Sequence, residues 1–244
     1  MGTLRLLLIF SLFCGSAAAA ELRVAAAANL NQVLPELITA FEQSYPDIRV
    51  KVSYGASGTL SQQISRGAPY EVFISASPKY VDYLENLDLV ARRQPFALGR
   101  LVLFWSRRLD PPLKDVSDLT RADVERVVVA NPEHAPFGQA AIDCLRHYGV
   151  YEEVSAKLIY GANVSQAAQM ALHGADAALI ALPLARNPNM IKAGNYLDPG
   201  QECHSPLLQE VAVVKDTGAA DRFLDFLSSP IAARILRAHG YDIP

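Results

Sequence analysis

Along nearly the whole chain, short runs rich in β-branched residues alternate with helical patterns, an order that few architectures accommodate. "LRVAAAA" (22–28) reads as a strand. Leu30, Val33, Leu34, Leu37, Ile38 and Phe41 then recur at the i, i+3, i+4 spacing of an amphipathic helix. Pro35 falls early in that helix, where a missing N–H costs least. "IRVKVSY" reads as a strand, "GTLSQQISRG" as a short helix closed by Gly67, and "YEVFISAS" as a strand. "PKYVDYLENL" is a helix with proline at its first position. Strands follow at "GRLVLFW", "ERVVVANP", "DAALIAL" and "LLQEVAVVK", with helices over 138–148 and 164–173 and two more at the end. Such alternation predicts an α/β protein with largely parallel sheets. In those sheets ligands sit at the carboxyl ends of strands, at the turns that lead into helices.

The first twenty residues stand apart. "MGTLRLLLIFSLFCGSAAAA" carries one charge (Arg5), an apolar core from Leu6 to Phe13 and a small-residue exit, the pattern of a secretory signal peptide cleaved before Glu21. Its apolar run is too short to span a bilayer. Cys14 raises a lipoprotein alternative, which the bulky Phe13 disfavours. An exported, periplasmic protein of 224 residues (244 − 20) is expected, as one large domain or two lobes. Losing Arg5 moves the formal net charge from −3 to −4 (−3 − 1), and no lysine or arginine cluster appears. Nucleic acid and anionic membrane surfaces are therefore poor partners. The mature cysteines are Cys144 and Cys203; an exported chain permits a disulfide between them, and two free thiols are the alternative.

Four strand-to-helix turns carry similar chemistry. They are "AAAANLNQV" with Asn29 and Asn31, "YGASGTL" with Ser57, "NPEHAPFGQAA" where Pro136, Phe137 and Gly138 open a helix, and "YGANVSQAA" with Asn163, Val164 and Ser165. Each offers a helix N-terminus with free N–H groups and partial positive charge, so together they suit an anion held by neutral donors. Taken singly, each reads better as an ordinary capping sequence. Ser57 has a third reading, as a nucleophile. Gly55-Ala56-Ser57-Gly58-Thr59 misses the second glycine of the G-x-S-x-G elbow, however, and no histidine is tied to it by sequence. No H-E-x-x-H or similar metal motif is present.

"RVAAAANLNQVLPELITAFEQ", "VSYGASGTLSQQISRGAPYEVFISAS", "NPEHAPFGQAA" and "ANVSQAA" resemble the periplasmic molybdate-binding proteins of ABC transporters, and the resemblance runs from about residue 22 to "HGYDI". It implies a two-lobed periplasmic binding protein fold of type II, with a ligand cleft between lobes and two chain crossings near 98–102 and 206–210. Lobe one would comprise residues 21–100 plus 208–244, and lobe two residues 101–207. It also implies a monomer that delivers molybdate or tungstate to a membrane permease, without a cofactor, without catalysis and without protein ligands to the metal itself.

Carried over to this chain, the resemblance makes Asn29, Ser57, Phe137 and Val164 the ligand contacts, Ser57 through hydroxyl and N–H, Phe137 and Val164 through main-chain N–H. Ala28 is a further candidate main-chain donor, and Asn31 or Ser165 a candidate side-chain donor. Phe137 stands where one branch of the family has tyrosine, and Ala181 where another places a ligand-binding tyrosine, so neither tyrosine hydroxyl is present here. Two other functions remain open at this level: a binding protein for another oxyanion such as sulfate, and a secreted serine hydrolase using Ser57.

Overall fold

A computed structural model describes residues 19–244; the expected signal segment through residue 18, with Cys14, lies outside the described residues. The first part of the chain runs β1 (Ala20–Ala27), a 3-10 turn (Ala28–Gln32), α1 (Leu34–Ser44), β2 (Ile48–Gly55), α2 (Ser57–Ser65), β3 (Val72–Ser75), α3 (Pro78–Glu85) and β4 (Arg92–Gly99). The middle part runs β5 (Leu101–Ser106), β6 (Val127–Ala130), α4 (Pro136–His147), α5 (Tyr151–Ser155), β7 (Leu158–Gly161), α6 (Val164–Leu172), β8 (Ala177–Ala181), α7 (Leu182–Ala185), α8 (Pro188–Ala193) and β9 (Gly194–Leu197). After a 3-10 turn at Gln201–Cys203, β10 (Leu207–Val213), α9 (Gly218–Leu227) and α10 (Pro230–Ala238) finish the chain.

The strands form two five-stranded sheets, ordered β2-β1-β3-β10-β4 and β7-β6-β8-β5-β9. The expectation of an α/β fold holds, but the sheets are more mixed than expected. β1 pairs parallel with β2 and β3, and β6 parallel with β7 and β8; β10 and β5 run antiparallel to both of their neighbours. The physical reason is the route of the chain. It leaves the first sheet after Gly99, enters the second at Leu101 and returns at Leu207 without an intervening crossover helix, so each arriving strand enters reversed.

Three strands escape the sequence pattern. β4 contains Pro95 and two arginines, tolerated because it is an edge strand whose ladder shifts register opposite Gln209/Glu210. β7 and β9 are four residues each, too short to show a period.

Two main cores follow. Leu22, Val24 and Ile74 of the first sheet bury against α1, α9 and α10, with Phe41 and Phe223 stacked edge to face at 4.9 Å. The second core packs Leu103, Val128 and Ile180 against Ala141, Leu145 and Ala167 of α4 and α6. The chain terminus returns to the first sheet, where Leu98 and Asp242 exchange main-chain hydrogen bonds of 2.7 and 3.0 Å. Tyr241 is thereby carried into the interior, 1% exposed.

Candidate functional site

The four turns singled out from sequence converge. A small cavity of about 10 Å³ between the two sheets is lined by Ala27, Ala28 and Asn29 from the first turn and by Gly55, Ala56 and Ser57 from the second. Ala135, Pro136 and Phe137 from the third, Asn163 and Val164 from the fourth, and Ala76 complete it. No lining residue is charged. Asn29, Ser57, Phe137 and Val164 are 1%, 0%, 1% and 4% exposed, so polar groups here are largely withdrawn from bulk water.

Among the described residues, the main-chain N–H groups of Asn29, Ser57, Phe137 and Val164 donate to no protein atom. Each lies at a helix start, where the repeating pattern supplies no acceptor. Buried N–H groups rarely stay unpaired, because each loses its water without compensation. Four of them around one small cavity suit a ligand made of acceptor oxygens.

Ser57 adds a fifth donor. The residue before it, Ala56, caps α2 without a side-chain bond, and Ser57 Oγ instead accepts the N–H of Ala76 at 3.0 Å. Its own proton remains to donate, so the capping reading does not describe Ser57. It does describe Asn163, whose Oδ1 accepts the Gln166 N–H at 3.0 Å. Asn29 behaves differently again. Its Nδ2 donates to Gln209 Oε1 at 2.9 Å and to Tyr241 Oη at 3.0 Å, which uses both amide hydrogens. Tyr241 Oη in turn donates to the Asn29 carbonyl at 2.9 Å. Burial raises the Tyr241 phenol well above its ordinary value, against a smaller opposing effect of the Asn29 hydrogen bond, and so keeps it protonated.

Polar bonds also join the two halves around the cavity. The Gly58 N–H donates to the His134 carbonyl at 2.9 Å, Asn31 Nδ2 to Ser165 Oγ at 2.6 Å, and Asn187 Nδ2 to Gln32 Oε1 at 3.0 Å. Gly58 is needed there: a Cβ would stand 3.0 Å from the His134 oxygen and 2.9 Å from the Tyr80 ring.

With this geometry in view, comparison with known proteins decides the family. Residues 22–242 match the model of the bacterial extracellular solute-binding proteins. The chain belongs to that family. It is similar to the molybdate-binding protein ModA of Rhodobacter capsulatus, 34% identical over 92% of this chain and 89% of that one. It is also similar to ModA of Azotobacter vinelandii, 30% identical over 93% and 92% of the two chains. A solved periplasmic molybdate-binding protein of Azotobacter vinelandii superposes with a TM-score of 0.83 at 28% identity, covering 91% of this chain and 99% of that one. The two-lobed type II solute-binding fold accounts for the two sheets and the site between them.

Several expected positions of this solute-binding protein fall elsewhere. Ala181 is fully buried at the end of β8, paired with Leu101, and does not line the cavity. Asn31 and Ser165 bond each other instead of facing the cavity. Cys144 of α4 and Cys203 are joined, with Sγ atoms 2.10 Å apart. Tyr241 and Gln209 went unnoticed in sequence. A tyrosine and a glutamine 212 and 180 residues from Asn29 carry no local signal of contact with it.

Proposed function

We propose that this protein captures molybdate, and tungstate with it, between its lobes and delivers it to the permease of an ABC transporter. The carrying observation is the ring of four unpaired main-chain N–H groups and the Ser57 hydroxyl around an uncharged, buried cavity. Molybdate is a dianion whose oxygens only accept. Hydrogen bonds to a charged partner contribute roughly 1.5–3 kcal/mol each, so five suffice for micromolar binding, about −8 kcal/mol, after ordering costs. Asn29, Ser57, Phe137 and Val164 are the contacts we assign, with Ala28 beside them in the lining. The lobes are placed at 21–100 plus 208–244 and at 101–207, in keeping with a chain that changes sheet beside Arg100 and Leu207.

Binding without turnover is the reading for Ser57. Its oxygen accepts from a main-chain N–H, and among the described residues no histidine hydrogen-bonds it. The protein acts as a periplasmic monomer, released by cleavage before Glu21. Selection against sulfate rests on size, because fixed neutral donors match one oxygen spacing and charge is shared among these anions.

Titration calorimetry of the mature chain with molybdate, tungstate, sulfate and phosphate tests the reading. Tight binding of the first two, and weaker binding of the others by about a hundredfold, is expected if a smaller anion leaves two buried donors unpaired. Sulfate bound as tightly as molybdate rejects the assignment.

A further inference from the structure

Asn29 is a residue of the first cavity turn whose amide hydrogens are both committed to the protein. Both amide hydrogens go to Gln209 and Tyr241, while Oδ1 is buried and accepts no hydrogen bond from any described residue. The opposite amide orientation would set Oδ1 against Gln209 Oε1, acceptor to acceptor. Gln209 cannot turn to relieve this, because its Nε2 donates to the Leu207 carbonyl at 2.8 Å. Tyr241 cannot relieve it either, since its one proton is given to the Asn29 carbonyl. The three side chains therefore define one arrangement, with the Asn29 peptide held at its carbonyl and its side chain held at both hydrogens.

The two partners come from places that matter for the site. Gln209 lies on β10, just after the chain returns from the second sheet. Tyr241 is delivered by the Leu98–Asp242 bridge beside the other crossing. Phe137, from the third turn in the opposite half, rests against the same spot: a Cβ on Gly99 would be 3.0 Å from its Cζ and 3.1 Å from Gln209 Nε2. The crossing strands thus touch the first and third turns together.

Resting on the anion-binding reading above, we infer that Tyr241 and Gln209 are positioning residues for that site, holding Asn29 from behind so that its turn meets the anion through main-chain N–H and not through the Asn29 amide. A hydroxyl lost at Tyr241 frees the Asn29 carbonyl and one amide hydrogen at once. The peptide then tilts, and the N–H of Asn29 loses its register with those of Ser57, Phe137 and Val164. Affinity falls, and so does discrimination between anions of different size, because discrimination depends on fixed spacing.

Molybdate and sulfate titrations, with melting temperatures, test this on the mature chain and on Tyr241→Phe, Gln209→Met and a core control, Phe223→Leu. Tyr241→Phe and Gln209→Met are each expected to weaken molybdate binding about tenfold and to lower the molybdate-to-sulfate ratio. The control, destabilised in the first core and outside the cavity lining, keeps wild-type affinity and ratio. Asn29→Ala should cost much less in the Tyr241→Phe background than alone, since both remove the same restraint. Unchanged affinity and ratio in both Tyr241→Phe and Gln209→Met, or equal loss in the control, overturns the inference. Full additivity of Asn29→Ala with Tyr241→Phe also overturns it, by making the amide a direct contact. A wild-type chain that binds no oxyanion is a separate result, which removes the function and this inference with it.

Discussion

Asn31 Nδ2 and Ser165 Oγ are 2.6 Å apart and join the two halves, one from the 3-10 turn after β1 and the other from the first turn of α6. With the Gln32–Asn187 pair, they tie the halves together without lining the cavity themselves. Such bonds exist only while the halves are together, so they favour the ligand-competent form whatever the anion. The double variant Asn31→Ala/Asn187→Ala is expected to lose roughly ten- to thirtyfold in affinity, at about 1 kcal/mol net per hydrogen bond. Calorimetry should show equal losses for molybdate and tungstate. A loss confined to one anion would mean that these side chains reach the ligand.

Ser57→Ala removes a donor to a charged ligand and an acceptor for the Ala76 N–H. Binding should weaken by roughly 1.5–3 kcal/mol, about ten- to a hundredfold, while stability falls by only about 1 kcal/mol. Titration calorimetry and urea denaturation on the same preparations separate the two effects. A variant that binds normally shows that the hydroxyl serves only Ala76.

The Cys144–Cys203 bond closes a span of 59 residues and lies wholly within the second half of the fold. Restricting the unfolded chain over such a loop stabilises by roughly 2–4 kcal/mol. Cys144→Ala/Cys203→Ala should therefore melt lower yet bind molybdate with unchanged affinity. Thiol titration of the denatured, unreduced protein should find no free thiol in the mature chain; two would remove the idea.

Burial raises the Tyr241 phenol above its ordinary value of 10.0, so the fold favours the protonated form. The stability this gives is fully present below pH 10 and is lost as pH rises toward the folded value. Tyr241→Phe lacks the ionisation. Urea denaturation from pH 7 to 11 should find the difference between wild type and variant constant up to about pH 10, then moving against the wild type by about 1.4 kcal/mol per pH unit. A difference that stays flat to pH 11 would mean that the phenolate is accommodated without unfolding.

What the sequence determined by itself is largely local. Alternating strand and helix patterns made the chain α/β and marked four strand-to-helix turns with free N–H groups, and the resemblance to the molybdate-binding family singled out Asn29, Ser57, Phe137 and Val164 within them. Those signals are legible because period, proline placement and helix starts depend on neighbours within a few residues. Tertiary structure decided the rest. Strand direction at β5 and β10 follows from where the chain changes sheet, and Pro95 survives in β4 only because that strand is an edge. Ser57 escaped its capping role because Ala76, nineteen residues on, supplies an N–H to its oxygen. Asn29 was legible as a cavity residue, but not the fate of its side chain. Both of its amide hydrogens are taken by Gln209 and Tyr241, brought in from the far end of the chain by sheet pairing and by the bridge at Leu98 and Asp242. A hydrogen bond of this kind forms wherever folding sets donor and acceptor about 3 Å apart, and linear spacing holds no record of that distance.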